Sequence, residues 1–80
     1  MPTILRSGPY RIFFYSHEGT EPPHAHVDRE RFSAKFWLRP VGLAANRGFS
    51  AHELNEIERL IESRRQELLE AWYGYFGHER

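Results

Sequence analysis

The segment Pro22-Pro23-His24-Ala25-His26-Val27-Asp28 contains the residues of this chain best suited to chemistry. Side chains alternate between the two faces of a β-strand, so one face would carry the polar members of this segment, His24, His26 and Asp28. Imidazoles have an unperturbed pKa of about 6.5 and can therefore transfer protons, bind a metal ion or hold a partner. The spacing predicts a functional face and leaves these three uses open.

The first use is catalytic, in an enzyme that cleaves RNA by attack of the 2′-hydroxyl. His24 and His26 would act as general base and general acid, and side chains two residues apart on a strand lie roughly 7 Å apart, enough to flank a phosphate. Negative charge that develops on the phosphate would be stabilised by a nearby cation, namely Lys35, Arg29 or Arg31. This hypothesis makes the protein a small ribonuclease.

The composition argues against RNA as a partner, although the aromatic residues favour it. Lys and Arg total 11, Asp and Glu total 11, and the isoelectric point is about 7.0, so the chain has no global field that attracts nucleic acid. Tyr15 and Trp37 are nevertheless placed where they could stack a base. Any contact with RNA must therefore be local.

The second use is a metal site. His24 and His26 would supply two imidazoles, and His17 or Asp28 would supply the third ligand that a zinc site needs. The sequence does not fix the position of that third ligand, and the chain has no Cys to replace it. We therefore expect no cofactor, and we name these residues as the ligands if a metal does bind.

The third use is docking without catalysis. In this interpretation the segment around His24 shapes an exposed edge of a β-sheet, and its histidines form hydrogen bonds to the backbone or to a partner protein. The chain would then be a protein-interaction or regulatory module. Whether it is an enzyme stays open on the residues alone.

The first half of the chain reads as a set of short strands. Apolar and β-branched residues alternate with polar ones, and Gly, Pro and Asn punctuate the pattern, which predicts strands over 3–6, 10–15, 24–28, 32–38 and 41–44. Pro40 should end or bend the fourth strand, and a turn is expected at 46–48. We expect one domain over 1–80, with most strands within 1–45.

The second half reads as one long helix over about 50–75. Ser50 and Glu53 stand in the capping-box relation, and Phe49 and Leu54 occupy the hydrophobic-staple positions around that cap. An apolar stripe then continues to Trp72. The predicted fold class is α+β, with a small antiparallel sheet packed against one C-terminal helix.

The chain of 80 residues has neither a basic start followed by a long apolar run nor any apolar run of bilayer length. These features predict a cytoplasmic protein without a membrane partner. They do not specify its oligomeric state.

Several motifs, taken in order, resemble the domain of unknown function 4160 family over nearly the whole chain. The motifs are Met1-Pro2-Thr3-Ile4, Ile12-Phe13-Phe14-Tyr15, Pro22-Pro23-His24-Ala25-His26-Val27, Ala34-Lys35-Phe36-Trp37-Leu38, Gly48-Phe49-Ser50 and Glu70-Ala71-Trp72. Members of that family are small bacterial and archaeal proteins, often encoded beside a second small protein in pairs that look like type II toxin-antitoxin modules. The resemblance implies a component of such a pair with a small protein partner. It supplies no catalytic residue. Our own prediction is the toxin side, directed at RNA through the His24/His26 face.

Overall fold

The computed structural model describes residues 3–16 and 19–77. Within them the chain forms five strands followed by two helices. The strands are β1 (Thr3–Ser7), β2 (Tyr10–Phe13), β3 (His24–Arg29), β4 (Phe32–Leu38) and β5 (Val41–Arg47). They form one sheet in the order β1-β2-β3-β4-β5, with every neighbouring pair antiparallel. The histidine strand β3 is therefore the central strand of the sheet.

One face of the sheet is apolar and forms half of the core. Strands β2, β3 and β4 contribute its buried side chains, which are Ile12, Ala25, Val27, Ala34, Phe36 and Leu38. The helices contribute the other half, which includes Ile57, Ile61, Leu68 and Leu69. The helices cover this apolar face. We call the opposite face the open face, and α2 contacts it only at one end, where Trp72 lies against His24.

The helical half begins as predicted but is divided in two, so the prediction of one long helix was wrong. Helix α1 spans Ala51–Ser63 and helix α2 spans Arg65–Phe76. The hydroxyl of Ser50 accepts a hydrogen bond from the Glu53 amide at 3.1 Å, as a helix cap requires. With 13 and 12 residues, neither helix of the described part is long and apolar enough to cross a membrane.

The break lies at Arg64, whose backbone angles are φ −113° and ψ 16°. The hydroxyl of Ser63 donates to the Leu60 carbonyl at 2.8 Å, and such bonding back to the preceding turn competes with the helical pattern. On the other side of the break, Arg65 Nε donates to the Leu38 carbonyl at 2.8 Å. This bond fixes the start of α2 against the end of β4.

Strand β5 is longer than predicted, because Asn46 and Arg47 belong to it and not to a turn. Lys35 pairs with Ala45 and Phe36 pairs with Leu43, which leaves Ala44 as an additional residue in a β-bulge. The Asn46 side chain then binds both the amide and the carbonyl of Phe49 at 3.1 Å. These bonds hold the end of the strand in place before α1 begins.

Replacement of Leu68 by alanine tests the core. Its side chain is 0% exposed, so Leu68→Ala should lower the free energy of unfolding by about 2–5 kcal/mol. Leu43, which is 45% exposed in β5, provides the control, and Leu43→Ala should cost less than about 1 kcal/mol. Denaturant unfolding measures both values, and equal losses would contradict the assignment of the core face.

Candidate functional site on the open face

Cross-strand pairing arranges the side chains of the open face in three rows, because residues directly opposite each other on neighbouring strands point to the same side. The first row contains Arg6, Arg11, Asp28, Ser33 and Arg47. The second row contains Phe13, His26, Lys35 and Ala45. The third row contains His24, Trp37 and Gly42. The predicted alternation of His24, His26 and Asp28 on one face is therefore present.

The first row is rich in guanidinium groups. It carries three Arg side chains and a single carboxylate, that of Asp28. Arg11 Nη1 lies 3.7 Å from Asp28 Oδ2, and its guanidinium carbon lies 4.4 Å from the centre of the Phe13 ring. Asp28, predicted as a binding residue and as a possible metal ligand, is thus engaged in an ion pair.

The second row centres on His26. Its imidazole stacks on Phe13, with ring centroids 5.4 Å apart, and the Tyr15 ring lies 4.8 Å away at a steep angle. His26 pairs directly with Lys35 on β4. The Lys35 ammonium donates to Glu21 Oε1 at 2.8 Å and lies 4.8 Å from the centre of the Trp37 ring. The fold therefore brings together His26, Lys35 and both predicted stacking residues.

A cleft of about 300 Å³ lies between the second and first rows, on the β5 side of the sheet. Its lining residues are His26, Ser33, Ala34, Lys35, Ala45, Asn46 and Arg47. Space is available because the residue opposite Lys35 is Ala45, whose side chain is a single methyl group. An imidazole, a hydroxyl, an ammonium and a guanidinium thus surround one concave surface.

His24 is placed differently from His26, because it is fully buried. Its Nδ1 lies 3.0 Å from the Pro22 carbonyl oxygen, and its ring lies 4.9 Å from the Trp72 ring of α2. The two imidazole centroids are 5.2 Å apart. The structure therefore brings both histidines together, but only His26 lies in the cleft.

Arg29 does not belong to the open face. It follows the alternation of β3 onto the helix side, where its Nε and Nη2 bind the two oxygens of Glu53 at 2.7 and 2.9 Å. The Tyr10 hydroxyl donates to the same carboxylate at 2.8 Å. The hydrogen bond from Arg29 is the main reason that the pKa of Glu53 lies below its usual value, and the hydrogen bond from Tyr10 is the second. The cluster joins the sheet to the first turn of α1.

The other predicted residues lie away from the cleft or outside the described residues. Arg31 lies exposed in the β3–β4 turn, next to Glu30 with its positive φ of 56°. His17, named as a possible ligand, lies outside the described residues. Within 3–16 and 19–77, no group of three or more His, Cys, Asp or Glu residues is arranged to hold a metal ion.

Several open-face residues were not among the sequence candidates, namely Arg6, Arg11, Ser33, Ala45 and Arg47. They enter the site through strand register, which the alternation of a single strand does not reveal. The sequence also shows that the strand half of the chain is basic and the helical half is acidic. Residues 3–47 contain seven basic and four acidic residues, whereas residues 51–76 contain three basic and six acidic ones. The neutral total therefore conceals a separation of charge.

The fold and site define an α+β protein whose antiparallel meander is covered by helices on one face and carries polar groups on the other. A family model, Domain of unknown function (DUF4160), matches residues 10–73. The chain therefore belongs to this family, which confirms the resemblance seen in its motifs. No curated protein and no solved structure matches the chain.

The Tyr10 hydroxyl makes stability depend on pH in the alkaline range. Burial, and then the hydrogen bond to Glu53, raises the pKa of Tyr10 from 10.0 to about 12. The stabilisation is thus fully present below the unfolded pKa and is lost as the pH rises from about 10 to 12. In denaturant unfolding, the stability difference between wild type and Tyr10→Phe should shrink over this range. Parallel pH profiles of the two proteins would contradict the assignment.

Proposed function

We propose that this protein is the toxin-side component of a prokaryotic toxin-antitoxin-like pair, that it acts in the cytoplasm, and that the open face of its sheet binds RNA. The observation that carries the proposal is the register of the sheet. It aligns a row of guanidinium groups beside a row that contains His26 and Lys35. Both rows lie on the face that the helices leave open.

The first row suits the phosphate backbone of a single strand. Guanidinium groups bind phosphate oxygens through two parallel hydrogen bonds, and Arg6, Arg11 and Arg47 are distributed across the width of the sheet. Tyr15, which is 37% exposed beside His26, offers an aromatic ring to a base. This local concentration of cations answers the objection that the whole chain is neutral.

His26 and Lys35 suit cleavage of the bound strand. In such a reaction the 2′-oxygen attacks the phosphorus and the bond to the 5′-oxygen breaks. His26 would accept the proton of the 2′-hydroxyl, and the Lys35 ammonium would stabilise the negative charge on the phosphate. The departing 5′-oxygen would take its proton from solvent water. The buried His24, which meets the His26 ring edge to face, would be a positioning residue.

The alternative is a non-catalytic interaction module, and the outer edge of β5 favours it. Within the described part of the chain β5 pairs with β4 on one side only, and its residues 43–47 are exposed. Such an edge can add a strand from another chain through main-chain hydrogen bonds. A small partner protein encoded nearby would dock there. The prediction that the segment around His24 forms a sheet edge was wrong, because β3 is the central strand of the sheet.

Growth of a bacterial host that expresses each variant tests the proposal. Wild type should inhibit growth, and His26→Gln should abolish the inhibition, because glutamine keeps a polar side chain but cannot transfer the proton. His52→Gln is the matched control, since the His52 side chain is 86% exposed on α1, away from the open face. It should inhibit growth as wild type does.

Thermal melting and partner binding of the same proteins identify the cause of any loss. The proposal expects His26→Gln to melt and to bind its partner as wild type does. Growth inhibition that persists in His26→Gln would end the catalytic role of this residue. A wild-type protein that binds its partner but neither inhibits growth nor cleaves RNA would support the interaction module.

A further inference from the structure

We infer that the cleft above Ala45 is a binding site for the phosphate group of a nucleotide. The inference extends the proposed function and rests on it, because RNA binding is the reason to choose phosphate among the anions that these donors could bind. Its basis is the set of donors that line the cleft, because Ser33, Lys35 and Arg47 each carry a hydrogen-bond donor, and His26 joins them in the lining.

The register explains why these donors converge. Ser33 pairs directly with Arg47, and Lys35 pairs directly with both His26 and Ala45. Opposite side chains on neighbouring strands have Cβ atoms about 4.5–5.5 Å apart, so the four polar groups lie within one small area. An ion with several acceptor oxygens can bind more than one of them at once.

Two small residues of β5 leave room for a ligand on the open face. They are Ala45 in the second row and Gly42 in the third, and a Cβ added at Gly42 would meet no atom of the described residues within 4 Å. The cleft has a volume of about 300 Å³. That volume admits a phosphate together with part of an attached ribose.

Two carboxylates oppose an anion here, and each is already paired with a cation. Glu21 binds Lys35 at 2.8 Å, and Asp28 lies 3.7 Å from Arg11. The Glu21 side chain is 43% exposed, and exposed ion pairs contribute little, so a phosphate can compete with Glu21 for the Lys35 ammonium. Removal of the Glu21 charge should therefore strengthen phosphate binding.

Inorganic phosphate is the probe for this site. It is titrated into ¹⁵N-labelled protein, with sodium chloride used to keep the ionic strength constant, while the backbone amide shifts are followed. Saturable shifts are expected at Ser33, Ala45 and Arg47. Arg47→Gln should weaken binding roughly tenfold, and Glu21→Gln should strengthen it. Arg31→Gln removes the same charge from an exposed turn and should change the affinity less than about twofold.

A second pair of variants fills the cleft without changing charge. Ala45→Leu places a larger side chain opposite Lys35 and should abolish the phosphate shifts. Ala44→Leu, at the neighbouring bulge residue, should leave them. If Arg47→Gln and Arg31→Gln weaken phosphate binding equally, the proposal is wrong, because the loss then reflects only the net charge of the protein. Phosphate binding that survives in Ala45→Leu would also overturn it.

An RNA oligonucleotide titrated separately distinguishes failure of this site from failure of the proposed function. If the wild type binds RNA but shows no saturable phosphate shifts, the cleft is not the phosphate site and the proposed function stands. If phosphate binds as described but RNA does not bind, the cleft site stands and the proposed function fails.

Discussion

The strict alternation of strand β3 is the constraint on which the rest of the molecule depends. Ala25 and Val27 are both fully buried on the helix side, so the central strand has one allowed register. A shift by one residue would place His26 in the core and an apolar side chain on the open face. The same alternation that secures the core therefore also fixes the position of the candidate site.

Features encoded within a single element were predictable from the sequence. The strand pattern around Ala25 and in β4 depends only on period-2 alternation, and the start of α1 depends on the hydroxyl of Ser50 and its neighbours. These signals act over a few residues and need no knowledge of tertiary contacts. The face shared by His24, His26 and Asp28 belongs to the same class of prediction.

Features that depend on contacts distant in sequence were not predictable. His24 is buried because Trp72, from the last helix, packs against its ring, and the sequence around His24 contains no sign of this. The helix breaks at Arg64, where the Ser63 hydroxyl bonds back to the Leu60 carbonyl and the Arg65 side chain bonds to Leu38 at the distant end of β4. The cleft likewise depends on the register of β5. That register includes a bulge at Ala44, which the local sequence does not predict.

The central claim is that the open face of the sheet is the surface that binds RNA. Backbone amide shifts of ¹⁵N-labelled protein, measured during titration with an unlabelled single-stranded RNA oligonucleotide, test this claim most directly. The account predicts that the largest shifts fall on the open-face rows around His26, Lys35 and Arg47, while the outer surfaces of α1 and α2 stay unchanged. Shifts confined to the helices, or no shifts at low salt, would contradict it.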